Sequence, residues 1–247
     1  MKSVVKVQWK KSQSKQSWKA ELLLAGKTGF EQRGLQPCRN ISYELSDKRR
    51  CTGYAHSPGE RTPCPEFRKI DSGSQCPECR GKNIYSDYVR GAQNTLDGEF
   101  SVYYAQIGSK FKVGVTRSEN IPKRWVEQGA DYAAEIEKGL TSNEALDIEE
   151  QLTTEKISQR IRKEKKLGRP KEQLSEILEG KDRHAEIVDV QNLTEYPELK
   201  GKFMRKGLIE GEIESVKGQI ISNGRVALAL TPGKVLKRPQ QKGLKSF

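Results

Sequence analysis

The chain has 247 residues, with 45 Lys and Arg against 33 Asp and Glu, a formal charge of +12 and only 34% apolar residues. No run approaches the roughly 18 to 20 apolar residues of a membrane-spanning helix. Met1 to Lys19 also lacks the apolar stretch of a secretory leader, so a cytoplasmic protein with no membrane partner is expected. The positive excess attracts polyanions, nucleic acid above all, and the low apolar content divides the core into small pieces that something besides burial must help to hold.

Residues 1–50 form the first expected unit. Val4–Trp9, Trp18–Leu24 and Ile41–Leu45 alternate or run apolar at strand length, with Gly26, Gly29 and Gly34 as turn points, so short β-strands are predicted. Residues 51–99 form the second unit, and four of the five cysteines fall in it. Twelve residues separate Cys51 from Cys64, eleven separate Cys64 from Cys76, and two separate Cys76 from Cys79. In a reducing compartment such a set reads as a metal site rather than a disulfide framework, and four thiolates match tetrahedral structural zinc. Cys38 could stand in for Cys51, or His56 for one of the cysteines. Cys51 is preferred because Arg49-Arg50-Cys51-Thr52-Gly53 reads as a strand end entering a turn. The Gly-, Ser- and Pro-rich loops between the ligands cannot build a core, so the metal would supply their stability.

Residues 100–159 carry the densest pattern. Phe100–Ile107 and Phe111–Thr116 predict a hairpin about Gly108-Ser109. Pro122 opens a helix that Gly129 ends, Tyr132–Ile136 predicts a further strand, and a helix capped by Thr141 or Ser142 runs through Ala145, Ile148, Leu152 and Ile157. Residues 160–200 begin with Arg160–Lys171, seven cations and one acid in twelve residues, expected as a basic helical segment closed by Gly168 and Pro170. Residues 201–247 alternate again in Gly207–Ile221 and Arg225–Leu230, with Ser222-Asn223-Gly224 as a hairpin turn. From Arg238 onward a mobile basic arm is expected. Residues 101–150 hold 6 basic and 9 acidic side chains, so the positive charge lies in the flanks of this core.

Val102-Tyr103-Tyr104, Lys112-Val113-Gly114-Val115-Thr116, Pro122-Lys123-Arg124-Trp125 and Glu149 together resemble the GIY-YIG endonuclease domain. The resemblance implies catalysis by Tyr103, Arg124 and Glu149 with Mg²⁺ or Mn²⁺: a phenol to help deprotonate water, a guanidinium on the phosphate, and a carboxylate on the cation. Tyr104 is an alternative to Tyr103 and Glu150 to Glu149, because the strand and helix registers are open. Two positions depart from the motif: Ser101 replaces its first glycine and Lys112 its second tyrosine, and the lysine is a poor equivalent of the phenol but suits phosphate binding. Over most of its length the chain is also similar to an uncharacterised, largely archaeal domain-of-unknown-function family. Arg50-Cys51-Thr52-Gly53, Gln75-Cys76-Pro77-Glu78-Cys79, Lys112-Val113-Gly114-Val115-Thr116-Arg117 and Arg124-Trp125-Val126-Glu127-Gln128-Gly129-Ala130 carry that likeness.

The expected fold is α+β: a small antiparallel GIY-YIG-like sheet with flanking helices, a zinc module, and small β units at both ends. The expected function is nucleic-acid binding, RNA or DNA, by Lys112, Arg117, Arg160, Arg162, Lys163, Lys165, Lys166 and Arg169, with metal-dependent cleavage as the catalytic version. The alternative is a non-catalytic nucleic-acid-binding or protein-docking adaptor.

Overall fold

The computed structural model describes residues 1–12, 17–85, 97–154, 157–180 and 184–238. The expected basic arm beyond Arg238, with Lys242 and Lys245, lies outside them. Strands take 45% of the described residues, far more than helices, and they form several sheets. This overturns the expected small sheet flanked by helices. Strands in the first 50 residues and the last 40 described residues pair with one another, which no local pattern announces.

The largest sheet runs in the order Gly207–Glu212, Asn40–Arg50, Lys234–Lys237, Lys2–Lys11, Trp18–Gly26, Gly29–Gly34, with Lys69–Ile70 also paired to Asn40–Arg50. Val4, Val7 and Trp9 of its Lys2–Lys11 strand point into the main core. A register shift between Val4 and Lys6 turns Val5 to the opposite face, where it packs with Leu23, Ala25 and Phe67. Phe67 belongs to the cysteine-bearing segment, so that segment rests on the outer face of this sheet.

The second sheet has the order Ile157–Ser158, Lys110–Arg117, Phe100–Ile107, Tyr132–Leu140, Val188–Asp189. Every residue of Phe100–Ile107 is buried, so both faces are covered. Tyr103, Ala105 and Ile107 join Trp125 and Val126 in the main core, whereas Phe100, Val102 and Tyr104 face Ala145, Leu152 and Leu174. The two tyrosines therefore belong to opposite faces, as the strand period of two requires. Tyr103 pairs directly with Gly114, where a Cβ would stand 2.6 Å from the phenol oxygen, so the glycine makes room for the ring.

Helix Lys123–Gln128 ends, as expected, on Gly129 in the left-handed conformation at φ 68°. Helix Ser142–Leu152 starts with a capping box between Thr141 and Glu144. It stops at Leu152 rather than reaching Ile157. Thr153 and Thr154 follow; Ile157 accepts from and donates to the Thr154 backbone and then pairs in parallel with Phe111. The expected basic helix differs most. Only Lys163–Lys166 makes a single 3-10 turn, and the next helix is Leu174–Glu179. Seven cations in twelve residues repel across helical spacings, and Gly168 at φ 74° and Pro170 break the path. Lys202–Met204, Val226–Ala229, Ile220–Ser222 and Ser215–Lys217 make a four-stranded sheet whose last hairpin turns at Asn223-Gly224. No helix among the described residues is long and apolar enough to cross a membrane.

Candidate metal centre and cationic cleft

Cys51, Cys64, Cys76 and Cys79 are all buried, and their sulfur atoms lie within 4.8 Å of one another. A tetrahedral four-thiolate zinc site, with Zn–S near 2.3 Å, has sulfur–sulfur edges of about 3.8 Å, so this donor set fits such an ion. None of the four is in a disulfide. Cys51 directly follows the Asn40–Arg50 strand, and its N–H donates to the Arg68 carbonyl at 2.8 Å. The Cys76 N–H donates to Cys51 Sγ at 3.2 Å, and Cys76 caps the short helix Pro77–Gly81, on which Cys79 sits. Cys64 leads a tight turn closed by the Phe67 N–H donating to its carbonyl at 3.0 Å. Arg50 lies 5.3 Å over the Phe67 ring. Burial pushes the Cys51 and Cys79 thiols up, a tendency that a bound cation reverses by stabilising thiolate. Cys38 is exposed and His56 contacts Glu60 and Thr62; neither belongs to the cluster, which leaves Cys51 as the fourth cysteine.

The segment is clasped to the large sheet. Arg49 Nη1 of the sheet donates to Gly73 O of the segment at 2.6 Å and to Pro232 O at 3.0 Å, next to the sheet's own bond from the Arg50 N–H to Gly233 O at 2.9 Å. Gly53, at φ 75°, sits where a Cβ would lie 2.0 Å from the Thr62 carbonyl oxygen and under 3 Å from Pro63 backbone. Gly53→Ala is expected to cost about 2–3 kcal/mol or more through strain and that clash. Its readouts are a lower unfolding midpoint and faster loss of metal to a chromogenic chelator; unchanged values for both would contradict this account.

Tyr103, Lys112, Arg124 and Glu149 come from two strands and two helices, and their charges are mutually felt. Burial pushes the Tyr103 phenol up against the pull of the nearby Arg124 guanidinium. Burial pushes Lys112 down and Glu149 up, each opposed by the other's charge. Tyr103 is only 1% exposed, however, and Lys112 Nζ donates to the Gln159 carbonyl. Glu149 is half-buried and Glu150 exposed.

The cations of the Arg160–Lys171 run separate into three roles. Arg160, Arg162 and Lys165 are exposed and, with Lys110, rim an open cleft of about 530 Å³ around half-buried Phe111 and Ile161. Lys163 and Lys166 turn inward. Lys166 is 8% exposed and donates to the Gln128 carbonyl; burial, with Lys163, Lys217, Lys112 and Arg124 around it, pushes it down to about 7. Lys163 donates to Thr231 Oγ1 at 3.1 Å, and burial with Lys234, Arg49 and Arg205 nearby pushes it down to about 8. Arg169 is held elsewhere, paired with Asp189 and 5.7 Å over the Tyr132 ring. Arg117 lies over Phe100 at the opposite end of its strand from Lys110. Lys110, Lys217 and Lys234 were missed by motif reading because they are isolated in sequence. Lys217 reaches the array through a buried 2.5 Å pair with Asp131.

A family model described as "Protein of unknown function (DUF2797)" matches residues 39–224, three quarters of the chain. No curated protein and no solved structure matches it.

Proposed function

The chain belongs to the DUF2797 family of proteins of unknown function, and on that premise we propose that it binds nucleic acid, with a structural zinc ion held by Cys51, Cys64, Cys76 and Cys79. The observation that carries the reading is the crowding of cations at one end of the 100–117 hairpin. Lys163 and Lys166 are pushed down from the ordinary lysine range, to about 8 and about 7, by burial and by the cations around each, and four exposed cations rim the adjoining cleft. Cations packed against their own repulsion are stabilised by an incoming polyanion, and a row of them tracks successive phosphates. Zinc, when bound, supplies thiolate cross-linking of loops that have no core of their own.

Cleavage is the second reading, favoured by the assembly of Tyr103, Arg124 and Glu149. The 1% exposure of Tyr103 leaves its phenol unable to meet a water and a phosphate together, so binding without cleavage is the better-supported function.

The test is fluorescence anisotropy with labelled oligonucleotides across a salt series, with Mg²⁺ or Mn²⁺ present in a parallel cleavage assay. Binding that weakens with salt is expected. Arg160→Glu combined with Arg162→Glu should weaken it at least about 10-fold and flatten the log–log salt slope by about 2. Absence of binding across RNA and DNA would refute the proposal. Metal-dependent cutting that disappears in Arg124→Ala and Glu149→Ala would replace it with the catalytic reading.

A further inference from the structure

We infer that the cleft beside the hairpin tip takes unpaired nucleotides, with phosphates on Lys110, Arg160, Arg162 and Lys165 and a base laid on Phe111 and Ile161, so that the ligand is single-stranded RNA or DNA and not a duplex. This rests on the nucleic-acid reading above and specifies its substrate class.

Phe111 is the second residue of the return strand of the hairpin and pairs in parallel with Ile157. Its ring is half-buried, with one side against the helix-covered core and part of it open to the cleft. Ile161 approaches from the other wall, itself packed at the edge of the main core. An apolar floor therefore lies inside a ring of four cations. A surface made only to attract phosphates has no use for that floor, and a duplex, whose base faces are stacked inside, cannot reach it. A single strand offers both phosphate and an exposed base face, and stacking on an aromatic ring is the usual sequence-tolerant contact of such strands. About 530 Å³ is also the size of a small-ligand site, ample for one nucleotide unit. RNA and DNA share this chemistry, and neither is favoured by any contact in the cleft.

The experiment measures anisotropy of a 12-nucleotide single-stranded RNA, the same sequence as DNA, and the matching duplexes, on the full chain loaded with zinc. Wild type is compared with Phe111→Leu, which keeps apolar volume against the core but removes the ring, and with Phe111→Trp, whose emission reports stacking. Single strands should bind at least about 10-fold more tightly than duplexes. Phe111→Leu should lose about 10-fold on single strands and nothing on duplexes, and the added tryptophan emission should be quenched on binding. Thermal unfolding of both variants separates lost stacking from lost folding. Duplex binding equal to single-strand binding, or affinity indifferent to Phe111→Leu, overturns the inference while leaving the nucleic-acid function standing. No binding by any oligonucleotide ends both.

Discussion

Removal of metal from the four-cysteine centre is expected to unfold the segment from Cys51 to Asn83 while the 100–140 sheet persists. The segment holds only two short hairpin strands, a two-residue strand and a five-residue helix, and its buried cluster consists of the cysteines themselves with Tyr54 and Ile70 packed against them. Without the ion, four buried thiols in contact have little apolar area to hold the loops, whereas zinc bound by such a set contributes about 10–16 kcal/mol in small peptides. That exceeds what a segment of this size can draw from burial alone. One zinc per chain should be released on denaturation. Chelation should open cleavage sites for trypsin within residues 51–83, and Cys64→Ser and Cys79→Ser should reproduce the effect with Cys38→Ser as a silent control. Because Arg49 and Arg50 clasp Gly73, Pro232 and Gly233, the metal-free chain should also loosen the Lys234–Lys237 strand, seen as faster amide exchange there. A metal-free preparation with the same protease map as the loaded one would refute the assignment.

What local chemistry announced and what it could not follow from the range of the interactions. The hairpin at Gly108-Ser109, the Gly129 helix stop and the Thr141 cap are written within a few residues, and the structure has them. The cysteine cluster was legible because its ligand type is rare and its burial has one common cause. The dominance of β-structure was not, since the Asn40–Arg50 strand finds its neighbours at Gly207–Glu212 and Lys234–Lys237, more than 160 residues away. The end of the Ser142–Leu152 helix was misjudged because Ile157 continues the apolar pattern, although the strand pairing with Phe111 captures it. The basic run was visible as charge, but its division into exposed Arg160, Arg162 and Lys165 and inward Lys163 and Lys166 depends on the loop path over Gln128 and Thr231.

Replacing the buried Lys166 is expected to change stability in opposite directions at two pH values. In the unfolded chain this lysine titrates near 10.5, and in the folded chain near 7. Between those values the unfolded chain binds a proton that the folded chain does not, so wild-type stability rises with pH across the window. Below about pH 7 the folded state carries the whole penalty, of the order of 5 kcal/mol, and above 10.5 it carries none. Lys166→Met removes the penalty but leaves the Gln128 carbonyl without that donor, a loss of about 1–3 kcal/mol at any pH. The variant should therefore be more stable than wild type near pH 7 and less stable near pH 10.5, with urea-unfolding curves that cross between them. Parallel curves would sink the account. Burial above all, then Lys163, Lys217, Lys112 and Arg124, hold the lysine down; these are not the four rim cations proposed to receive phosphates, but an anion bound at that rim opposes their effect. The stabilised variant is thus expected to bind oligonucleotides a few-fold more weakly at pH 7, since removing a buried cation lowers the positive potential at the neighbouring rim without removing any contact there.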